Sequence, residues 1–317
     1  MIMMMPEKPV RLRDFIEDRD GWLYAVSTYD NVPRVGCVLR YMPDPDGERT
    51  TPDGRRFHKL DFEEAYEMIA RQKPEYRDIV QRVPYRDIVR VRKPEEELAA
   101  ISERNPSVQK LVDLFGLPAG SMGCTGSFLC GLEIQSSDID LVFYGNAWFL
   151  AQQTLKEATL EGRLEGIDEE MWMRIYRKRN PELNFSEFLV HEKRKWNRGQ
   201  VDGTYFDLLY TRPYDALNPI PSGKGRSLGR MSIVAEVTDA TLSFDNPAIY
   251  EVGHEEIKRV LSFTHTYSGQ ALAGETIEAQ GVCEEHGDEL WLVVGTTREA
   301  RGEFIRSLSL LESDESA

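Results

Sequence analysis

Residues 121 to 145 constrain the fold of this chain more than any other stretch, because they join a glycine-containing turn to a strand that carries two acids. Within residues 136 to 143, apolar residues alternate with Asp138 and Asp140, a pattern that predicts a strand. Alternate side chains of a strand project to the same face, about 7 Å apart along the backbone. The sequence therefore predicts two neighbouring carboxylates on one side of a sheet.

Two carboxylates in this arrangement can share metal ions. Hard oxygen ligands suit Mg²⁺, which keeps several waters and takes the rest of its shell from carboxylates and substrate phosphates. In an in-line displacement at phosphorus, one ion lowers the pKa of the attacking hydroxyl and a second ion, roughly 3.5–4 Å away, holds the departing pyrophosphate oxygens. Asp138 and Asp140 are therefore predicted ligands of two magnesium ions.

A small turn at residues 122 to 127 precedes the strand, and residues 128 to 132 can open a helix. Backbone N–H groups at such a turn point at a bound anion. Gly126 and Ser127 are predicted to hold the β- and γ-phosphates of a triphosphate, with Ser127 as the helix N-cap or as a phosphate ligand. Taken singly, a Gly-Ser pair is an ordinary turn and Asp-x-Asp is a solvated strand end. The prediction depends on their order and spacing.

The two motifs together resemble the signature of the DNA polymerase beta nucleotidyltransferase superfamily, over roughly residues 100 to 215. In that family a third acid lies on a later strand, and Asp207 stands in the apolar run 205 to 210. A carboxylate in such a run is costly unless it is paired or bound to metal, although an edge strand facing water is the alternative. The sequence departs from the family at Phe128, where many members have a small residue followed by Arg. The whole chain is also similar to a group of archaeal proteins known as predicted nucleotidyltransferases.

The resemblance implies a magnesium-dependent enzyme that moves a nucleoside monophosphate from a triphosphate to a hydroxyl and releases pyrophosphate. ATP is the expected donor, and an RNA end, a protein or a small molecule is the expected acceptor. Asp138, Asp140 and Asp207 would bind the two Mg²⁺ ions, and Asp207 would also serve the attacking hydroxyl. The alternative is a catalytically weak nucleotide- or RNA-binding module on the same fold.

The charge balance limits the partners. Acids outnumber bases 54 to 39, which gives a net charge of −15 and argues against a protein that tracks long duplex DNA. One basic segment, residues 191 to 199, contains Lys193, Arg194 and Lys195. These three are predicted to contact the triphosphate or an acceptor phosphate. An equal alternative is the cationic last turn of a helix that Gly199 ends.

The sequence pattern predicts neither a targeting or membrane-spanning segment nor a cysteine-based metal site. No stretch approaches the roughly 18 apolar residues of a membrane-spanning helix, and the apolar start, Met1 to Met5, is shorter than a signal-peptide core. The four cysteines lack the spacing of a zinc site or a disulfide framework. We expect a cytoplasmic protein without a membrane partner.

The predicted fold class is α+β, in three parts. Residues 1 to 94 form an α+β N-terminal region, and residues 95 to 215 form the nucleotidyltransferase core. Residues 216 to 317 form a linker and a β-rich, barrel-like domain. Helices are expected at 106–115, 168–179 and 181–196, a flexible linker at 213–229, and short strands at 233–237, 240–244, 260–266, 276–283 and 289–294.

Overall fold

The computed structural model describes residues 8–218, 220–221, 223–297 and 300–315. The apolar start, Met1 to Met5, and Ser222 of the predicted linker lie outside these residues. The architecture is a mixed α+β fold with three sheets, as the sequence predicted at the level of fold class. None of the helices in the described ranges has the length and apolar character needed to span a bilayer.

The strands follow one another along the chain as β1 Phe15–Asp18, β2 Leu23–Val26, β3 Arg34–Pro43, β4 Arg49–Thr50, β5 Arg56–Lys59, β6 Gln81–Pro84, β7 Ile88–Arg92, β8 Met122–Cys124, β9 Ile139–Tyr144, β10 Arg198–Val201, β11 Thr204–Thr211, β12 Arg226–Asp239, β13 Ala248–Gly253, β14 Ile257–Ser262, β15 Thr276–His286, β16 Glu289–Val294 and β17 Phe304–Ser307. The helices are α1 Phe62–Gln72, α2 Pro94–Arg104, α3 Pro106–Phe115, α4 Gly126–Cys130, α5 Asn146–Leu160, α6 Glu169–Arg179, α7 Phe185–Arg194 and α8 Leu308–Glu315.

The chain divides into two compact units that are both discontinuous in sequence. The first unit contains Met1–Glu165 and Gly199–Pro219, and the second contains Gly166–Arg198 and Ile220–Ala317. This division differs from the predicted one at residues 94 and 215. It groups the N-terminal region with the acid-bearing strands, and it assigns α6 and α7 to the second unit.

In the first unit, an antiparallel sheet has the order β4-β5-β3-β2-β1-β7, with β6 paired to β3. Its residues Phe15, Tyr41 and Phe57 form a buried cluster with Leu129 and Leu132, which flank the end of α4. Burial of apolar side chains such as these is the main favourable contribution to folding. The N-terminal sheet is therefore packed against the element that follows the glycine turn.

The second sheet of the first unit has the order β10-β11-β9-β8. Strand β9 is parallel to β11 and antiparallel to β8. Helix α3 leads toward this sheet with the bounds that the sequence predicted, because Asn105 caps its first turn and Gly116 ends it in a left-handed conformation.

The second unit contains a sheet of order β12-β13-β14-β16-β15-β17. Strand β12 also pairs with β15, so hydrogen-bonded pairing runs from β12 through β13, β14, β16 and β15 back to β12. The β14–β16 pair is parallel and the others in this series are antiparallel.

Two local predictions for this unit are wrong. Residues 240 to 244 form a turn and not a strand, because the Asp239 carboxylate accepts hydrogen bonds from the Thr241 backbone N–H and hydroxyl at 2.8 and 3.1 Å. The next strand, β13, begins at Ala248. The predicted linker is also shorter than expected, because β12 begins at Arg226.

Candidate active site

The first unit brings Asp140 and Asp207 side by side. In the parallel pair β9–β11, Asp207 is the direct register partner of Asp140. Directly paired residues of adjacent strands project their side chains to the same face. Asp138 is exposed and lies one residue before β9. The negative charges of Asp207 and Asp138 both raise the pKa of Asp140, so the three acids interact electrostatically, and together they are called the acid cluster.

Asp140 is a buried carboxylate with other acids nearby. Burial is the largest cause that raises its pKa, and the negative charge of Asp207 is the next. Arg13 and Lys59 lower the pKa and Asp138 raises it, with a result of about 6. Ionised Asp140 is therefore costly in this site unless further positive charge is present.

The glycine turn lies directly against this carboxylate. Gly126 has a φ of +67°, and a Cβ atom at this position would lie 2.6 Å from Asp140 Oδ2. The backbone N–H of Thr125 donates to the Asp140 carbonyl oxygen at 2.9 Å. Both the conformation and the space at position 126 require glycine.

Ser127 does not cap the short helix α4. The N-cap residue is Thr125, and Ser127 lies within the first turn. The N-cap prediction for Ser127 is therefore wrong, because the helix begins at Gly126, two residues earlier than the sequence pattern indicated. The phosphate-ligand role of Ser127 stays a prediction.

Two cations from the N-terminal sheet region act on the cluster, and the sequence analysis missed both. Arg13 and Lys59 are partly buried, and both lower the pKa of Asp140. The Thr125 hydroxyl donates to the Arg13 carbonyl oxygen at 2.7 Å, which ties the backbone of Arg13 to the loop before the turn. More than 70 residues separate either cation from the acid strand in sequence, so no local spacing could have identified them.

Tyr205 is a third residue that the sequence analysis missed. Its hydroxyl donates to Asp207 Oδ1 at 2.9 Å. Because Tyr205 stands two residues before Asp207 on β11, the period-2 alternation of the strand places both on one face. That alternation was the available signal.

The predicted phosphate contacts Lys193, Arg194 and Lys195 belong to the second unit. The ammonium group of Lys195 is buried and donates to Glu192 and to the Thr266 carbonyl oxygen, and burial lowers its pKa well below the ordinary value. Arg194 pairs with Glu275, while Lys193 is exposed. Lys193 and Arg194 lie in the last turn of α7, as the helix-end alternative describes, but Gly199 lies in β10 and does not end the helix. The candidate active site therefore does not include the three basic residues.

The donor set of the cluster suits a hard divalent cation. Asp138, Asp140 and Asp207 offer only carboxylate oxygens, and like charges raise the pKa of Asp140. A magnesium ion would relieve that repulsion. Within the described residues, no three or more His, Cys, Asp or Glu side chains already converge as a metal-binding group.

A cleft of ≈ 360 Å³ opens at the start of β9, but it belongs to another face of the strand. Its lining includes Ser137, Ile139 and Thr204, together with Asn105 and Phe128. Strand alternation sets Ile139 on the side opposite to Asp140, and Ser137 precedes the strand. The cleft and the acid cluster are thus adjacent along the chain and separate in orientation.

The fold and the site define a two-unit α+β protein whose first unit carries clustered carboxylates beside a glycine turn. The chain belongs to the family of the protein named Uncharacterized protein MJ1086 of Methanocaldococcus jannaschii. The two are 35% identical over 335 aligned positions, which cover 94% of this chain and 98% of the relative. No family model matches the chain. No solved structure matches it either.

Proposed function

We propose that the first unit is a magnesium-dependent nucleotidyltransferase of the DNA polymerase beta type. It would move a nucleoside monophosphate from a triphosphate, with ATP as the expected donor, to a hydroxyl of an acceptor and release pyrophosphate. The observation that carries the proposal is the register of Asp207 opposite Asp140, with Gly126 against the Asp140 carboxylate.

The carboxylates would hold the metal. Bound by Asp138, Asp140 and Asp207, magnesium would neutralise triphosphate charge and lower the pKa of the attacking hydroxyl. Asp207 would accept the proton of that hydroxyl, the role that the resemblance implies for the third acid.

The triphosphate would lie over the glycine turn. Gly126 leaves no side chain between the backbone and the Asp140 carboxylate, so phosphate oxygens can approach the N–H groups of the turn. Arg13 and Lys59 supply positive charge beside Asp140, in the role that the sequence analysis gave to the basic segment. Ser127 would contribute its hydroxyl.

The second unit would bind the acceptor. Its strands β12, β13, β14, β16 and β15 pair in series, and the likeness to a small oligonucleotide-binding barrel is an analogy from the number of strands. That analogy is compatible with an RNA end but assigns no function by itself. A protein or small-molecule hydroxyl remains an equal acceptor.

The test combines binding and turnover with matched Asp-to-Asn variants. Asp140→Asn should abolish magnesium-dependent pyrophosphate release with any of the four nucleoside triphosphates, tested with RNA, protein and small-molecule fractions as acceptors. Asp207→Asn should retain triphosphate binding and lose turnover, because the other two acids still hold the triphosphate metal. Asp202→Asn, on the exposed hairpin of the same unit, should behave as the parent.

The stability of Asp140→Asn relative to the parent shows whether Asp140 serves a metal site or stabilises the fold. In magnesium-free buffer at pH 8, the free energy of unfolding of Asp140→Asn should exceed that of the parent by on the order of 1–2 kcal/mol, because the substitution removes a negative charge that burial and neighbouring acids make unfavourable. The variant should therefore unfold at a higher temperature. Parent-level turnover by Asp140→Asn would refute the proposed function. Magnesium-dependent ATP binding without pyrophosphate release would favour the nucleotide-binding module instead.

A further inference from the structure

The hydroxyl of Tyr205 occupies a chemically unusual position in the first unit. It donates to Asp207 Oδ1 at 2.9 Å, and both side chains extend from the same face of β11. Tyr205 is partly exposed. A phenol therefore stands one hydrogen bond away from a carboxylate of the acid cluster.

The geometry matches what an attacking hydroxyl needs. A general base must lie about 2.6–3.2 Å from the oxygen whose proton it takes. Under the proposed function, Asp207 is that base, and it lies directly opposite Asp140 in register. The Tyr205 hydroxyl is thus held where the hydroxyl of an external acceptor would have to be.

We propose that Tyr205 is a nucleotidylation site of this protein, modified by its own acid cluster with a nucleoside triphosphate as donor. This inference rests on the proposed function. The Tyr205 oxygen attacks the α-phosphorus, and an O–P bond forms to the tyrosine. The bond from the α-phosphorus to the α–β bridging oxygen breaks, and pyrophosphate leaves with the bonding pair. The phenolic proton passes to Asp207.

Two other tyrosines that donate to a carboxylate, Tyr144 and Tyr214, lack the access that Tyr205 has. Tyr144 and Tyr214 both donate to Glu95, at 2.8 and 2.9 Å. Glu95 is ion-paired with buried Arg11, and the side chains of Glu95 and Arg11 are only 5% and 2% exposed. A highly charged triphosphate cannot enter that cluster without a large desolvation cost, whereas the Asp207 cluster includes exposed Asp138.

The modification has a functional consequence. A nucleotide on Tyr205 fills the place of the acceptor next to Asp207, so the modified protein should no longer transfer nucleotides to an external hydroxyl. The reaction needs no identified acceptor, because the chain itself supplies it.

The experiment uses the full chain with Mg²⁺ and each of the four nucleoside triphosphates. Intact mass spectrometry should show the addition of one nucleoside monophosphate, and peptide mapping should locate it on Tyr205. Tyr205→Phe should lose the adduct completely, because the substitution removes the attacking oxygen. Tyr66→Phe, which removes a hydroxyl bonded to the Ile79 carbonyl oxygen, should label as the parent does.

Calorimetric titration of magnesium and triphosphate distinguishes a failure of the modification from a failure of the proposed function. If the parent and Tyr205→Phe both bind the triphosphate, binding is lost in Asp140→Asn and no adduct forms on Tyr205, the modification is refuted and the proposed function survives. An unchanged adduct in Tyr205→Phe also refutes the modification. If neither binding nor an adduct depends on Asp140, the proposed function fails and the modification fails with it.

Discussion

At the scale of single residues, burial sets the charge states in both units. Burial and neighbouring acids raise the pKa of Asp140 to about 6, in the direction that magnesium binding would reverse. Burial is the largest cause that lowers the pKa of His191 to about 4, and the charges of Lys195 and Arg194 act in the same direction, against the raising effect of its hydrogen bond with the Glu187 backbone. Neutral His191 bridges two elements of the second unit, since its Nδ1 lies 2.7 Å from the Glu187 carbonyl oxygen and its Nε2 accepts from the Ser307 backbone N–H at 2.9 Å.

This histidine predicts a stability loss in mild acid. Between pH 6.5 and 4 the unfolded state binds a proton at His191 that the folded state does not bind, so the stability of the second unit falls as the pH decreases. The loss should approach about 3 kcal/mol near pH 4. Urea unfolding at several pH values should show a weaker pH dependence for His191→Gln than for the parent.

Acids in the first unit titrate in the same range, but they are common to both proteins and cancel in this comparison. Unfolding free energies of the parent and His191→Gln that stay parallel from pH 7 to 4 would contradict the assignment of a neutral buried imidazole.

At the scale of elements, local signals predicted the helices well and the strands of the second unit less well. Helix α3 has the predicted bounds because its N-cap, Asn105, and the glycine that ends it, Gly116, directly flank the helix in the sequence. The strand predicted at 240–244 failed because one side chain, Asp239, closes a turn. Strand alternation predicted the strand that carries Asp140, but β9 begins only at Ile139 and leaves Asp138 outside it. Asp207 was predicted from the family resemblance and its apolar run, whereas Arg13 and Lys59 reach the cluster through tertiary packing of the N-terminal sheet region. Sequence spacing carries no information of that kind.

The glycine turn before α4 provides a prediction with a matched control. Gly126→Ala and Gly120→Ala both place a side chain at positive φ, +67° and +81°, but only the first new Cβ would meet another atom within 4 Å, namely Asp140 Oδ2. Gly120→Ala should cost about 1 kcal/mol through backbone strain alone. Gly126→Ala should cost more and should also abolish triphosphate binding.

Thermal unfolding and calorimetric titration of the two variants measure these effects. Equal stability losses, with triphosphate binding intact in both, would mean that the approach of Gly126 to Asp140 has no part in the site.

At the scale of the whole molecule, the chain passes between its two units three times. The segment 166–198 leaves the first unit after Glu165 and the chain re-enters it at Gly199. Glu165 and Gln200 are antiparallel bridge partners, so the two ends of the excursion lie next to each other. Helix α7, inside that excursion, contacts β17 and α8 from the last part of the chain.

Excision at the bridge should release the first unit as a folded protein. Replacing residues 166 to 199 with Asn-Gly forms a two-residue hairpin between the bridge partners, and ending the chain at 219 removes the rest of the second unit. This variant should unfold cooperatively on heating and retain magnesium-dependent triphosphate binding. Removing only residues 220 to 317 should cause aggregation, because buried residues of α7 such as Phe188 and His191 lose their packing partners.

Circular dichroism and light scattering distinguish these two outcomes. Aggregation of both variants would show that the first unit depends on the second for its stability.

The Glu165–Gln200 bridge also has a consequence for folding during synthesis. A chain that grows at roughly 5–20 residues per second completes the first unit at residue 219 and needs roughly another 5–20 s to deliver the remainder. Throughout that interval α6 and α7 are present while their partners β17 and α8 have not been made. The bridge joins the two ends of the segment that contains α6 and α7. The nascent chain therefore keeps these helices in a closed loop, which restricts the non-native contacts that they can make.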